Sequence, residues 1–202
     1  MKLYGTRTSP FVRRVRIIAT ELGVPYELVD TSTADGQATL RAVSPLWKVP
    51  VVELDGRLIF DSRTIVDHLL DENGYGRLRP IGTEVADWVR EQNLISAVDT
   101  ALESAIQIFY VDKDGFDPGT VPYLVKQRER VASILGWIDG QLHGPWVTSE
   151  DQIGLGEIAL VTAFDWMVFR DRYPVDTHPA IARFRAAHVD HPSLEATYPV
   201  VA

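Results

Sequence analysis

Residues 49–62 constrain the fold of this 202-residue chain more than any other stretch. Val49-Pro50-Val51-Val52-Glu53-Leu54 and Arg57-Leu58-Ile59-Phe60 are apolar, strand-like runs separated only by Asp55-Gly56. An Asp-Gly pair between such runs is a strong short-range signal for an antiparallel hairpin. Directly behind it, Asp61-Ser62 opens a helix, with Ser62 as the expected N-cap. Ile65, Val66, Leu69 and Leu70 share one face of that helix, and Asn73-Gly74 closes it. A hairpin leading into a helix needs a sheet with helices to cover it.

The residues upstream supply both. Lys2–Gly5 reads as a short strand and Tyr26–Val29 as a second. Between them, Val15, Ile18, Ala19 and Leu22 fall at helical spacing behind Pro10, which suits a first helical turn because it has no N–H to leave unpaired, and Gly23 stops the helix. A weaker helix is expected around Ala38–Val43. The resulting order, β-α-β-α-β-β-α, is that of an α/β domain covering residues 1–76.

Residues 74–82 carry Gly and Pro and form a linker. Beyond them no strand pattern remains. Ile95, Val98, Leu102, Ala105 and Phe109 make one helical stripe; Leu124, Val131, Leu135, Ile138 and Leu142 make the next. A third helix starts near Gly154 as N-cap, with Glu157 at the third helical position and Ile153 and Ile158 placed as a hydrophobic staple. A further helix begins at Pro179, with Ile181, Phe184 and His188 on one side. Residues 82–202 are therefore expected to be all-helical. Glu84, Asp87, Glu91 and Asp99 read as a solvated helix face, and the five tryptophans at 47, 88, 137, 146 and 166 mostly as core-like helical positions, with lining of a pocket as the other reading of Trp47 and Trp166.

Composition narrows the partners. The net charge of −8 and pI near 5.1 argue against nucleic acid, whose binders present a basic face. Arg13, Arg14 and Arg16 are a local cluster, read as a solvated helix face. The chain has no cysteine, so no disulfide can form, and it shows neither an apolar run of roughly 18 residues nor a signal-peptide core at its start. A cytoplasmic protein without a membrane partner is the expectation. The five histidines show no metal-ligand spacing, so no metal is expected.

Three strings carry a resemblance: Thr8-Ser9-Pro10-Phe11-Val12-Arg13-Arg14-Val15-Arg16, Ser44-Pro45-Leu46-Trp47-Lys48-Val49-Pro50, and Phe60-Asp61-Ser62-Arg63-Thr64-Ile65. In order and spacing they resemble the glutathione-site segments of cytosolic glutathione transferases, and Ile153-Gly154-Leu155-Gly156-Glu157-Ile158 resembles the capping element of that family's helical domain. The resemblance implies a thioredoxin-like, glutathione-binding N-terminal domain and a helical domain that supplies the second-substrate pocket. It also implies a detoxifying activity, in which the glutathione thiolate adds to a hydrophobic electrophile, and assembly as a homodimer.

The thiolate, not the thiol, is the nucleophile, so the site must favour the anion. Ser9 stands at the start of the first helix, where a hydroxyl and the positive helix end converge. The resemblance makes it the thiol-activating residue, with simple capping as the other reading. Thr8 is the alternative hydroxyl. Tyr4 is a second alternative, though as a strand residue it also suits packing beneath the sheet. Omega-type relatives hold a cysteine where this chain has Ser9, which moves the expected chemistry from disulfide exchange toward addition. The resemblance further implies that Phe11 belongs to the glutathione site and that Val49-Pro50 is a cis bond whose Val49 backbone pairs with the cysteinyl unit. It assigns Asp61 and Ser62 to the γ-glutamyl group and Lys48 to the glycine carboxylate. Trp47 departs from the small residue, commonly glycine, that the family carries there. It is the feature that favours an alternative: a glutathione-binding or dimeric interaction protein without turnover. Ser44 for asparagine and Gly154 for a Ser/Thr cap are further departures.

Overall fold

The computed structural model describes residues 1–82, 84–148 and 151–200. The chain divides into two compact units, Met1–Leu78 joined by the segment from His191, and Arg79–Asp190.

The first unit runs β1 (Lys2–Gly5), α1 (Pro10–Leu22), β2 (Glu27–Asp30), α2 (Ala34–Val43), β3 (Val51–Leu54), β4 (Arg57–Phe60) and α3 (Ser62–Asn73). The sheet order is β2-β1-β3-β4, with β2 parallel to β1 and the β1–β3 and β3–β4 pairs antiparallel. Asp55 and Gly56 both take positive φ, 50° and 73°, as the tight hairpin turn demands. On one sheet face Tyr4 packs with Leu40 of α2 and Val51. Leu3, which the two-residue period turns to the other face, is fully buried as well. This is the thioredoxin-like arrangement with a small mixed sheet.

Arg13, Arg14 and Arg16 are not solvated as the sequence reading had them: they are 2%, 6% and 6% exposed. The cause lies at the far end of the chain. α8 (Pro192–Ala196) packs on α1, and its end supplies oxygen acceptors. Arg13 donates from Nη2 to the Leu194 carbonyl at 2.9 Å and from Nε to Thr197 Oγ1 at 3.3 Å, and Arg16 Nη1 donates to the Thr197 carbonyl at 3.4 Å. Carbonyls in the last turn of a helix have no intrahelical partner, so buried guanidiniums fit there. The sequence pattern places everything after residue 82 in the helical half. The segment from His191 groups instead with the first unit.

The second unit contains α4 (Val85–Lys113), α5 (Pro122–Gln141), α6 (Leu155–Phe169) and α7 (Pro179–His188), with short 3₁₀ turns at Pro118–Thr120 and Val175–Thr177; among its described residues there is no strand. α4 is long and apolar enough to cross a membrane by length and composition alone. Its Leu94, Val98, Ala101 and Leu102 are fully buried, and it packs against α5 and α6.

Two further sequence expectations fail here. Glu91 and Asp99 are buried, at 1% and 8% exposure, not on a solvated face. Of the helix-borne tryptophans, Trp88 and Trp137 are exposed while Trp166 is buried. Glu91 is buried because Arg79, read as linker, meets it: Nη2 and Nη1 reach Oε1 and Oε2 at 2.7 and 3.2 Å, and Nη2 also reaches Glu157 Oε2 at 3.2 Å. Backbone N–H groups add to the network: those of Val147 and Gly154 donate to Glu157, and that of Gly156 donates to Glu91. This network explains the missing Ser/Thr cap. A Cβ on Gly154 would lie 2.6 Å from Arg79 Nη2, and one on Gly156 would lie 2.9 Å from Glu91 Oε1. The guanidinium occupies the space a cap side chain would need, and Glu157 Oε2 alone reaches back to the Gly154 N–H at 2.9 Å.

Candidate functional site

Strand register gathers the sequence-selected residues of the first unit at one end of its sheet. Tyr4 is paired with Val51, and Val51 with Phe60. The end of β1, the start of β3 and the end of β4 therefore share an edge. Ser9 follows β1, Val49-Pro50 precedes β3 and Asp61-Ser62 follows β4, so all three segments emerge at that edge. The N-termini of α1 and α3 do so too, and each brings a positive dipole end suited to an anion.

Ser9 is the N-cap of α1, in extended conformation, and its Oγ accepts from the Val12 N–H at 3.3 Å. A hydroxyl that accepts through a lone pair still has its proton to donate. Thr8 is half-buried with Oγ1 3.4 Å from Thr6 Oγ1, and the half-buried Phe11 ring lies beneath the Arg14 guanidinium, 5.1 Å from its centroid.

The Val49–Pro50 bond is cis. Pro50 is buried, Val49 half-buried and Lys48 exposed. Trp47 is 62% exposed with φ of 52°, and the Arg41 guanidinium covers its ring at 5.0 Å. A residue with positive φ is best served by glycine, which gives the expectation of a small residue at this point its physical reason. Here an indole occupies it, backed by a cation.

At α3 the cap differs from expectation. Asp61, not Ser62, is the N-cap: its Oδ1 accepts from the Arg63 N–H at 2.9 Å, with φ of 76°. Ser62 is the first helical residue and only 7% exposed. The shift is physical: Asp is as good a cap as Ser, its carboxylate reaches the Arg63 N–H one residue earlier, and it tolerates positive φ better than most residues.

Tyr4 is 5% exposed, and its hydroxyl donates to Glu53 Oε2 at 2.8 Å. That bond, with burial and the charge of Glu53, raises the phenol above its ordinary pKa, while the same bond and Lys2 hold Glu53 below the ordinary carboxylate value. Sequence reasoning missed Glu53. The signal is the β1–β3 register, which sets Glu53 diagonally from Tyr4 on one sheet face.

Known proteins share this organisation. A model of the glutathione S-transferase N-terminal domain matches residues 3–77. The chain is 28% identical over 181 residues to the uncharacterized GST-like protein YibF of Escherichia coli (strain K12), spanning 84% of this chain and 83% of that one. It is 41% identical over 86 residues to glutathione S-transferase 4 of Zea mays, 39% of either chain. Among solved structures, the glutathione S-transferase of Methylobacillus flagellatus with glutathione bound superposes with a TM-score of 0.85 at 26% identity, covering 98% of this chain and 99% of that one. The glutathione S-transferase of Methylobacterium radiotolerans in complex with glutathione sulfonate gives a TM-score of 0.86 at 24% identity, covering 100% and 95%. Sheet order, helical second unit and similarity over most of the length agree: residues 3–77 are a glutathione S-transferase N-terminal domain, and the chain as a whole is similar to cytosolic glutathione transferases.

Proposed function

We propose that this protein binds glutathione in its first unit, stabilises the thiolate with Ser9 and adds it to a hydrophobic electrophile. The observation that carries the reading is the convergence of Ser9, Val49-Pro50 and Asp61-Ser62 on one sheet end, with two helix N-termini beside them. Bound glutathione in the Methylobacillus flagellatus relative supports it. In this reading the Ser9 proton is donated to sulfur, and the α1 dipole favours the anion without a formal positive charge. The Val49 backbone pairs with the cysteinyl unit. Ser62 and the α3 N-terminus take the γ-glutamyl carboxylate, Asp61 takes the ammonium, and Lys48 meets the glycine carboxylate. No metal takes part.

Assembly as a homodimer belongs to the same reading. Val85, Trp88 and Val89 stand on one face of the first turns of α4 and are 74%, 48% and 40% exposed, an apolar face of the kind a partner covers.

A second reading, glutathione binding without useful turnover, is favoured by Trp47, an exposed indole directly before Lys48 in the chain. One experiment separates the two: titration with glutathione, then turnover with a panel of electrophiles. Saturable binding with turnover supports the transferase. Binding without turnover on any electrophile leaves the second reading, and absence of binding removes both.

A further inference from the structure

At the end of α6 in the second unit, Arg170 is a cation without an anion among the described residues. Its guanidinium lies over the rings of Phe109 and Phe169, with Cζ 5.0 and 4.8 Å from their centroids. Its Nε is buried with no hydrogen-bond partner, and among the described residues no carboxylate pairs with it. The neighbouring arginine makes the contrast. Arg172 also stands over Phe109, at 5.6 Å, but it is ion-paired to Asp112 Oδ2 and donates its Nε to the Arg170 carbonyl.

Stacking on aromatic rings uses the flat faces of a guanidinium and leaves its in-plane N–H groups, whose fork matches the two oxygens of a carboxylate. The rings also fix the plane of the fork, so less side-chain entropy is lost when a ligand is captured. The surroundings are aromatic: Trp166 and Tyr110 meet the Phe109 ring edge-on at 5.7 and 5.3 Å, and Tyr110 is 55% exposed.

We infer that Arg170 and the rings around it form a recognition site for the carboxylate of a planar aromatic acid. The carboxylate takes the guanidinium fork and the ring of the acid lies along the exposed Tyr110 edge. All the residues belong to the second unit, so the inference does not rest on glutathione binding in the first.

The test is isothermal titration of the full chain, without glutathione, using 4-chlorobenzoate, its neutral isostere 4-chlorobenzamide and inorganic sulfate. A charge-assisted pair predicts that the acid binds about tenfold or more tighter than the amide. Arg170→Met keeps an apolar stem over the rings and should erase that preference, while Arg172→Met should retain it. Arg170→Lys, with charge but no fork, should fall between wild type and Arg170→Met. Failure of the wild-type protein to bind the acid, equal binding of acid and amide, or an undiminished preference in Arg170→Met overturns the inference. Sulfate binding as tightly as the acid overturns its aromatic part. Loss of glutathione binding with the acid preference intact counts only against the function proposed above.

Discussion

The Tyr4 hydroxyl donates to Glu53 Oε2 across β1 and β3 at 2.8 Å, and Lys2 Nζ stands 3.6 Å from the same oxygen. A phenol has one proton to donate, and here it is committed to a carboxylate. Of the three hydroxyls the sequence offers for thiol activation, this one is engaged in holding two strands together.

Tyr4→Phe should therefore lower stability while leaving glutathione chemistry unchanged, and its stability cost should depend on pH. The Tyr4 pKa is raised in the folded protein, so its contribution is complete below the ordinary phenol pKa and is lost as pH rises through the raised value. The Glu53 pKa is lowered, so its contribution is present above the ordinary carboxylate pKa and is lost as pH falls through the lowered value. Urea midpoints from about pH 3 to about pH 11 should show a wild-type advantage that is flat through neutrality and closes at both extremes. A gap that persists unchanged at both ends would show that the hydrogen bond is not its source.

Asp61 and Ser62 divide capping from binding. Asp61→Ala removes the cap and should cost about 1 kcal/mol, whereas Asp61→Gly, which suits a φ of 76°, should cost only a few tenths. Ser62→Ala leaves the cap in place. If Ser62 holds the γ-glutamyl carboxylate as proposed, glutathione affinity should fall about tenfold. Calorimetric melts and glutathione titrations of the three variants check this. Unchanged affinity in Ser62→Ala would move the carboxylate elsewhere.

The buried network of Arg79, Glu91 and Glu157 has one cation for two carboxylates. Burial works against the guanidinium charge, but the two glutamates outweigh it and raise the Arg79 pKa further. Arg79→Ala strands two buried charges and should cost roughly 3–5 kcal/mol. Glu91→Gln leaves one cation facing one carboxylate and should cost clearly less. Denaturant titration of both variants decides. If Glu91→Gln proved as damaging as Arg79→Ala, charge balance would not be what governs the network.

How much of this was legible in the sequence follows from the range of the interactions. The hairpin, the αL stop at Gly23 and the helical stripes of α4 and α5 are local patterns, and their positions match the structure closely. The Arg13–Leu194 and Arg79–Glu157 contacts join residues 181 and 78 positions apart, and no periodicity announces such partners. Hence three arginines of α1 and Glu91 looked solvated although they are buried. Trp47 shows the converse. A bulky residue at a glycine-like position was visible in sequence, but its positive φ and its stacking on Arg41 required coordinates.

Ser9 carries the sharpest expectation. Its Oγ accepts from the Val12 N–H, so the hydroxyl is oriented by the helix while its proton stays available. Donation of that proton to a thiolate favours the charged form and should depress the pKa of bound glutathione. Ser9→Ala should raise that pKa and reduce turnover at neutral pH, with a smaller effect on glutathione affinity. It also removes an N-cap, at about 1 kcal/mol of stability, so the assay belongs well below the melting temperature. Thr8→Ala and Tyr4→Phe serve as controls. If Ser9→Ala keeps both rate and pH profile while Thr8→Ala loses them, the role passes to Thr8. Ser9→Cys is the complementary trial: a thiol at the same helix end should form a mixed disulfide with oxidised glutathione, detectable as a mass increment. Failure to form that adduct would put residue 9 out of reach of the sulfur and end its assignment.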